Sequence, residues 1–221
     1  MTSKNGINSG GKGCRAKALI AVANQSDDPL LQVNPSVRTF VDHNGRQHRL
    51  ECHRWDQLDA ETQQWIQDVT EHNMKSFYES SSCGWNRSQK EKELRHSTAR
   101  HLVVRSEEDN RLVAFSHFRF ETGGQESECC VYCYELQVEA SHQRSGVGRH
   151  LMEVLYEIAV AFRMRKVMLT VFDCNSIAMH FYTHSLKYRI DRSSPSRCQM
   201  TADYQILCHN VTQSKLITNT N

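Results

Sequence analysis

Tyr132-Cys133-Tyr134-Glu135-Leu136-Gln137-Val138, followed after four residues by Gln143-Arg144-Ser145-Gly146-Val147-Gly148-Arg149, is the stretch that decides the fold. Its first half is rich in aromatic and β-branched residues and closes a strand running from Cys129 to Val138. A short turn follows, and a glycine-containing loop then opens a helix over 146–162. Val147, Leu151, Val154, Leu155 and Ile158 recur there at helical spacing and share one face. Backbone N–H groups at a helix N-terminus have no intrahelical partner, and the helix dipole adds positive potential. Such a terminus suits a pyrophosphate. Gly146 and Gly148 remove side chains that would hold a ligand away, while Arg144 and Arg149 add charge. Two familiar nucleotide loops do not fit. A Walker loop needs Gly-Lys-Ser/Thr, and the dinucleotide fingerprint needs a third glycine where this chain has Leu151.

Working outward, Val167–Phe172 reads as a buried strand, so the segment from Cys133 to Phe172 predicts a right-handed parallel crossover. A helix over 175–185 follows, then strands near Tyr188–Ile190 and Tyr204–Cys208. Upstream, Asn44-Gly45 marks a hairpin between Phe40-Val41 and Leu50. Asp59 sits where a helix N-cap belongs, ahead of Trp65, Ile66, Val69, Asn73 and Phe77 at helical spacing. This predicts an amphipathic helix over 60–78. Ser88–His96 reads as a short charged helix with a solvated face, and Leu102–Val104 and Leu112–Phe120 as strands joined by a polar turn. The sum is one mixed α/β sheet (α+β in its strand pairing) in a single domain at 38–209, with no internal repeat. Residues 1–37 are expected to be a flexible segment carrying a short helix near Ala16–Ala23, and 210–221 a C-terminal tail.

Composition bounds the function. Lys and Arg number 27 against 25 Asp and Glu, a net charge of +2, so a long nucleic-acid-neutralising face is not expected. No apolar run approaches the roughly 18 residues that a membrane span requires. The start of the chain is polar, and Thr2 is incompatible with N-myristoylation. With nine scattered cysteines and no export signal, the expectation is a soluble intracellular protein with reduced thiols. Cys130-x-x-Cys133 has no second pair to complete a zinc site, and the twelve histidines lack ligand spacing, so no metal is expected.

The run Gln143-Arg144-Ser145-Gly146-Val147-Gly148 resembles the Gln/Arg-x-x-Gly-x-Gly acetyl-CoA signature of the GCN5-related N-acetyltransferase (GNAT) superfamily. Ala114–Phe120, Tyr132–Glu135, Val167–Phe172 and Ser193-Ser194-Pro195-Ser196 narrow the resemblance to the N-alpha-acetyltransferase D (NatD) family, in family order from about Thr39 to Cys208. Its members acetylate the N-terminal amine of histones H4 and H2-A. The resemblance implies the GNAT acyl-CoA N-acyltransferase fold, acetyl-CoA as co-substrate, histone tails as partners, a monomer, and residence in nucleus and cytoplasm.

It also implies roles. Leu136, Gln137 and Val138 would offer backbone to the pantetheine arm. Gln143, Arg144, Ser145, Gly146, Val147, Gly148 and Arg149 would hold the pyrophosphate, and Asn175 would touch the cofactor. Asn175 reads equally well as a helix N-cap. Glu135 matches the family's general base, with Tyr134 in the catalytic set. Tyr78, Trp85, Tyr132, Tyr134, Thr170 and Tyr204 match residues around the peptide terminus, and Glu121 an acid that reads arginine. Tyr132 and Tyr134 should share one strand face; Glu135 faces the other way unless a bulge intervenes. Tyr182 lies where many superfamily members keep a tyrosine that protonates the leaving thiolate, whereas the NatD pattern has an aromatic without a hydroxyl. Departures are Gly123 in place of a second acid, a longer loop at 121–128 where Glu126 or Glu128 could substitute, and Cys83 in place of a tryptophan. These leave open a related enzyme for other N-termini or lysines, and a non-catalytic module that binds acetyl-CoA and histone tails.

Overall fold

The computed structural model describes residues 10–124 and 128–212. Its strands are β1 (Thr39–Val41), β2 (Gln47–His53), β3 (Arg100–Ser106), β4 (Leu112–Gly123), β5 (Glu128–Val138), β6 (Lys166–Phe172), β7 (Arg189–Ile190) and β8 (Tyr204–Asn210). They form one mixed sheet in the order β1-β2-β3-β4-β5-β6-β8-β7. Every pairing is antiparallel except β5 with β6. A parallel pair needs a long crossover, and helix α4 (Val147–Ala161) supplies it.

The remaining helices are α1 (Gly10–Asn24), α2 (Ala60–Glu79), α3 (Arg87–Leu94) and α5 (Ser176–His180). The Asp59 carboxylate accepts the Thr62 N–H at 2.6 Å and starts α2; Asn86 does the same for α3 through Gln89 N–H at 3.0 Å. Gly45 turns the β1–β2 hairpin with φ +81°, a conformation open to glycine. The helix expected over 175–185 is interrupted: α5 gives way to a π-helical turn at Phe181–Ser185. Helix α1 starts earlier than its sequence suggested. Its Ala16 and Ala23 are buried, and Arg54 and Arg100 both donate to the Asn24 carbonyl at its C-terminal end at 3.0 Å. Of the segment expected to be flexible at 1–37, residues 1–9 lie outside the described residues.

The larger core lies on the α1 and α4 face, where Val147, Leu151, Val154, Leu155 and Ile158 are all buried, as their spacing predicts. Each such side chain contributes roughly 1.5–3 kcal/mol. A smaller core on the α2 and α3 face holds Trp55, Ile66, Val69, Leu94, Val103 and Phe115.

Two irregularities in β5 shape the site. Pairing with β6 covers only Cys130–Cys133 against Lys166–Leu169, although β5 runs on to Val138 and β6 to Phe172. Beyond Cys133 the strands part, leaving one edge of β5 open along Tyr134–Val138. The β4–β5 register also slips: His117 faces Glu135 and Phe118 faces Cys133, so Tyr134 is the extra residue of a β-bulge.

Candidate active site

The bulge resets the alternation of β5, and it decides the direction that spacing left open. Tyr134 stacks on His117 at 5.0 Å, while the next residue, Glu135, pairs with Lys90 of α3. Tyr132, Thr170, Tyr134 and Glu135 thereby line one cavity of about 440 Å³, closed by Tyr78 and Met74 of α2 and by Lys90 and Glu93 of α3. A groove of about 450 Å³ adjoins it, lined by Val138, Gln143, Arg144, Gly146, Gly148 and Arg149 among others. Met74, Leu136, Gln137, Asn175, Ala178 and Tyr182 line both spaces, so the parting of β5 and β6 joins them.

At the groove, Gly146 adopts φ +96° and caps α4 with no side chain. The first helical bond is His150 N–H to Gly146 O at 3.0 Å, so the amides of Val147, Gly148 and Arg149 precede the helical ladder. A Cβ on Gly146 would come within 2.7 Å of His43 Nε2. The loop is tied to the β1–β2 turn by the His43 N–H, which donates to Ser145 O at 2.8 Å. Ser145 and Val147 point their side chains inward: Ser145 donates to His142 O at 2.6 Å, and Val147 joins the core. Only their backbones are left for a ligand. Asn175 is an N-cap, accepting the Ala178 N–H at 3.0 Å, and it also lines both spaces.

The centre of the cavity is ionic. Lys90 Nζ donates to Glu135 at 2.7 Å, Glu93 at 2.6 Å and Tyr78 Oη at 2.9 Å. Burial works against the Lys90 charge, but Glu135 and Glu93 outweigh it and hold the ammonium well above the ordinary lysine range. Burial pushes the Glu93 carboxyl up, opposed by Lys90 and aided by Glu135. Glu135 is also held by Gln137 Nε2 at 2.8 Å, and Gln137 in turn by Asn73 at 3.0 Å. The expected solvated face of α3 is therefore corrected at these two positions. A helix with Leu94 as its lone large apolar residue turns Lys90 inward because two carboxylates wait there. Nothing in the local sequence pattern marks Lys90 or Glu93.

Around this centre, Tyr132 Oη meets Thr170 Oγ1 at 2.6 Å, and burial pushes the Tyr132 phenol up to about 12. Tyr134 donates to both Glu121 oxygens at 2.9 Å, with the Arg119 guanidinium 4.3 Å from its ring centre. Trp85 does not line the cavity; it packs behind Tyr78 at 5.4 Å with its buried Nε1 unpartnered among the described residues. Tyr204 begins β8 opposite Phe172, also outside the cavity lining. A second acid at Gly123 would force its neighbours to shift, since a Cβ there would sit 2.6 Å from Met168 Sδ and 2.9 Å from Cys130 Sγ. Glu128 does not substitute for it: it pairs with Lys166 at 3.1 Å and lines a different cavity. Glu126 lies outside the described residues. Tyr182 is buried, which raises its phenol well above the ordinary range.

Residues 66–188 match the acetyltransferase (GNAT) family. This chain belongs to that family. Solved structures share the fold at low identity. They include NAA60 of Arabidopsis thaliana, crystallised with a bisubstrate analogue (TM-score 0.53, 10% identity, 74% of this chain and 99% of that one). Spermidine N-acetyltransferase of Vibrio cholerae, in complex with CoA and spermine, matches at TM-score 0.52 and 13% identity over 74% and 96%. The ribosomal-protein-S18-alanine N-acetyltransferase of Escherichia coli matches at 0.50 and 13% over 79% and 99%. As a GNAT acetyltransferase, the chain takes its acetyl group from acetyl-CoA. The uncapped α4 terminus, the glycine closed against His43 and the open β5 edge fit that co-substrate. Among the described residues, no three His, Cys, Asp or Glu side chains gather as a metal cluster.

Proposed function

We propose that this GNAT enzyme acetylates the N-terminal α-amine of histones H4 and H2-A, whose termini begin Ser-Gly-Arg-Gly. The observation that carries the proposal is the bulge at Tyr134. It sets the buried carboxylate Glu135 beside Tyr132, Thr170 and Tyr78 in a cavity continuous with the cofactor groove. The NatD-like blocks in the sequence supply the substrate. The backbone of Leu136–Val138, the amides of residues 147–149, and Arg144 and Arg149 would hold the co-substrate, which supplies an activated acetyl thioester. An α-amine has a pKa of about 8 and arrives largely as ammonium, so it must lose a proton before attack. Glu135 takes that proton. The amine nitrogen then bonds to the acetyl carbon, and the carbon–sulfur bond breaks within a ternary complex, without a covalent enzyme intermediate. In this reading the leaving thiolate takes its proton from the Tyr182 hydroxyl, which lines both spaces, is kept protonated by burial and has no hydrogen-bond partner among the described residues. Tyr134 orients Glu121, which pairs with the substrate arginine. The reading implies histone tails as partners, a monomeric enzyme, and action in nucleus and cytoplasm.

A second reading follows from Gly123. With glycine at the second acid position, arginine selection rests on Glu121 among the described residues, and other N-termini or lysines become acceptors. Intact-mass and rate analysis decides between them, using a Ser-Gly-Arg-Gly peptide, its Ser-Gly-Ala counterpart, and an N-terminally blocked peptide carrying the same lysines. The proposal expects one acetyl on free termini alone, with the arginine peptide preferred in kcat/KM. Equal turnover of the arginine and alanine peptides favours the second reading, and gain on the blocked peptide establishes lysine transfer. Binding of acetyl-CoA without transfer to any of them would leave a non-catalytic module.

A further inference from the structure

Glu135 does not stand alone. Its Oε1 is 2.7 Å from Lys90 Nζ, the same ammonium is 2.6 Å from Glu93, and the Lys90 side chain is 10% exposed. Two carboxylates and one ammonium leave the cluster with one net negative charge, one positive charge short of balance. Tyr78 adds a phenol at 2.9 Å and no charge. The other polar groups that face it do little to neutralise it. From β4, His117 is fully buried with its pKa driven well down, foremost by burial, so it stays neutral, and Arg119 is turned toward Glu121 and the Glu93 carbonyl. From β5, Gln137, Cys133 and Tyr134 face it, and from the turn after α5, Tyr182. A buried cation shared by two acids is costly unless each partner stays in place, which favours a single arrangement.

We propose that Lys90 is a positioning residue for the acetyl transfer: it fixes Glu135 against the acceptor amine and sets the acceptor cavity at one net negative charge, so that the substrate ammonium completes the cluster. The kinetic arm of this inference rests on the acetyltransferase reading above; its structural arm does not. Glu93 is the second half of the device. It shares the cation with Glu135, so removing Lys90 and removing Glu93 must act on Glu135 in opposite directions. Without Lys90, two neighbouring carboxylates compete to stay charged and hold a proton up to a higher pH. Without Glu93, Lys90 serves Glu135 alone, and the proton leaves at a lower pH. A merely structural lysine would shift the carboxyl titrations in this way but would leave the acid limb of kcat/KM where it is, so it is the two moving together that marks a positioning role.

The test uses the full chain as wild type, Lys90→Met, Lys90→Arg and Glu93→Gln. Glutamate carboxyl carbons are labelled for NMR titration without co-substrate, and Glu135→Gln assigns the Glu135 resonance. The pH dependence of kcat/KM on a histone H4 peptide is followed in parallel. In Lys90→Met, the Glu135 titration and the acid limb of kcat/KM should rise by on the order of one pH unit. Glu93→Gln should move both downward, and Lys90→Arg should restore both toward wild type. If Lys90→Met is too unstable to titrate, the Glu93→Gln and Lys90→Arg pair still carries the sign test. Unmoved titrations in folded variants, an acid limb that stays put while the titrations move, or shifts of the same sign in Lys90→Met and Glu93→Gln, would overturn the role of Lys90. If no peptide is turned over by wild type while the carboxyl titrations shift in opposite directions, the substrate reading fails and the Lys90 cluster stands.

Discussion

Helices α4 and α3 both end up against β5, and they are built on opposite terms. Helix α4 buries a continuous apolar stripe, Val147, Leu151, Val154, Leu155 and Ile158, in the larger core. Helix α3, Arg87–Leu94, reaches β5 through an ammonium, Lys90 on Glu135. The first contact is non-directional and cheap to satisfy, so it specifies where the helix lies. The second is worth little as net stability, because desolvation offsets attraction, but it fixes atoms at hydrogen-bond distance. Apolar burial sets the scaffold here; ionic burial sets the geometry of one carboxylate.

The comparison breaks if chemistry and stability fail to separate along it. Glu135→Gln keeps the side-chain shape and removes the proposed base, so kcat per folded molecule should fall by about 10²–10⁴-fold, far more than any drop in thermal midpoint from the weakened Lys90 pair accounts for. Single-turnover rates and calorimetry on the same preparation check both halves. Leu155→Ala should do the reverse, costing about 2–5 kcal/mol of stability in chemical denaturation while the residual folded enzyme keeps its kcat. Loss of kcat in proportion to the fraction unfolded is the expected pattern.

A third site sharpens the comparison by asking whether ionic burial always serves chemistry. Asp42 is buried in the β1–β2 turn and accepts hydrogen bonds from Asn44 N–H, Arg46 N–H and Arg46 Nε, with His48 Nε2 at 3.2 Å. Burial pushes its carboxyl up, and the bonds from Arg46, His48 and Asn44 more than reverse this, holding it well below the usual range. A depressed folded pKa gives stability that is present above the unfolded value of about 4 and is lost on acidification below it. Asp42→Asn should therefore cost roughly 1.5–3 kcal/mol at pH 7. The gap from wild type should close as the pH falls below 4, read from thermal midpoints at pH 3 to 7. The smallest effect is expected at the rim: Glu121→Gln should reduce the preference for Ser-Gly-Arg over Ser-Gly-Ala by roughly tenfold, one carboxylate–guanidinium contact, measured as a kcat/KM ratio.

The same contrast explains what was readable in the chain. The strands, the Asp59-capped α2 and the α4 stripe follow from periodicity and capping, because side chains at fixed spacing meet a common apolar surface. The glycine loop is legible because its chemistry is local. The bulge at Tyr134 is not, since it exists only in the register of β5 against β4, and it decides which way Glu135 points. Lys90 and Glu93 read as a solvated helix face because a charge pattern does not reveal a partner that is 45 residues away for Lys90. Gly123 is visible as a departure in sequence, but its cause, the sulfur atoms of Met168 and Cys130 filling the space, needs the packed sheet.

The hairpin that precedes the family-matched segment buttresses the glycine loop at 145–148 from behind. His43 hands its N–H to Ser145 O and lays its ring against Gly146, on a turn that Asp42 clamps to Arg46 and His48. If this loop seats acetyl-CoA as proposed, the tightness of that seat is set partly by a turn outside the segment that carries the loop. Substitutions that loosen this turn would show first as faster escape of CoA, well before the sheet itself comes apart.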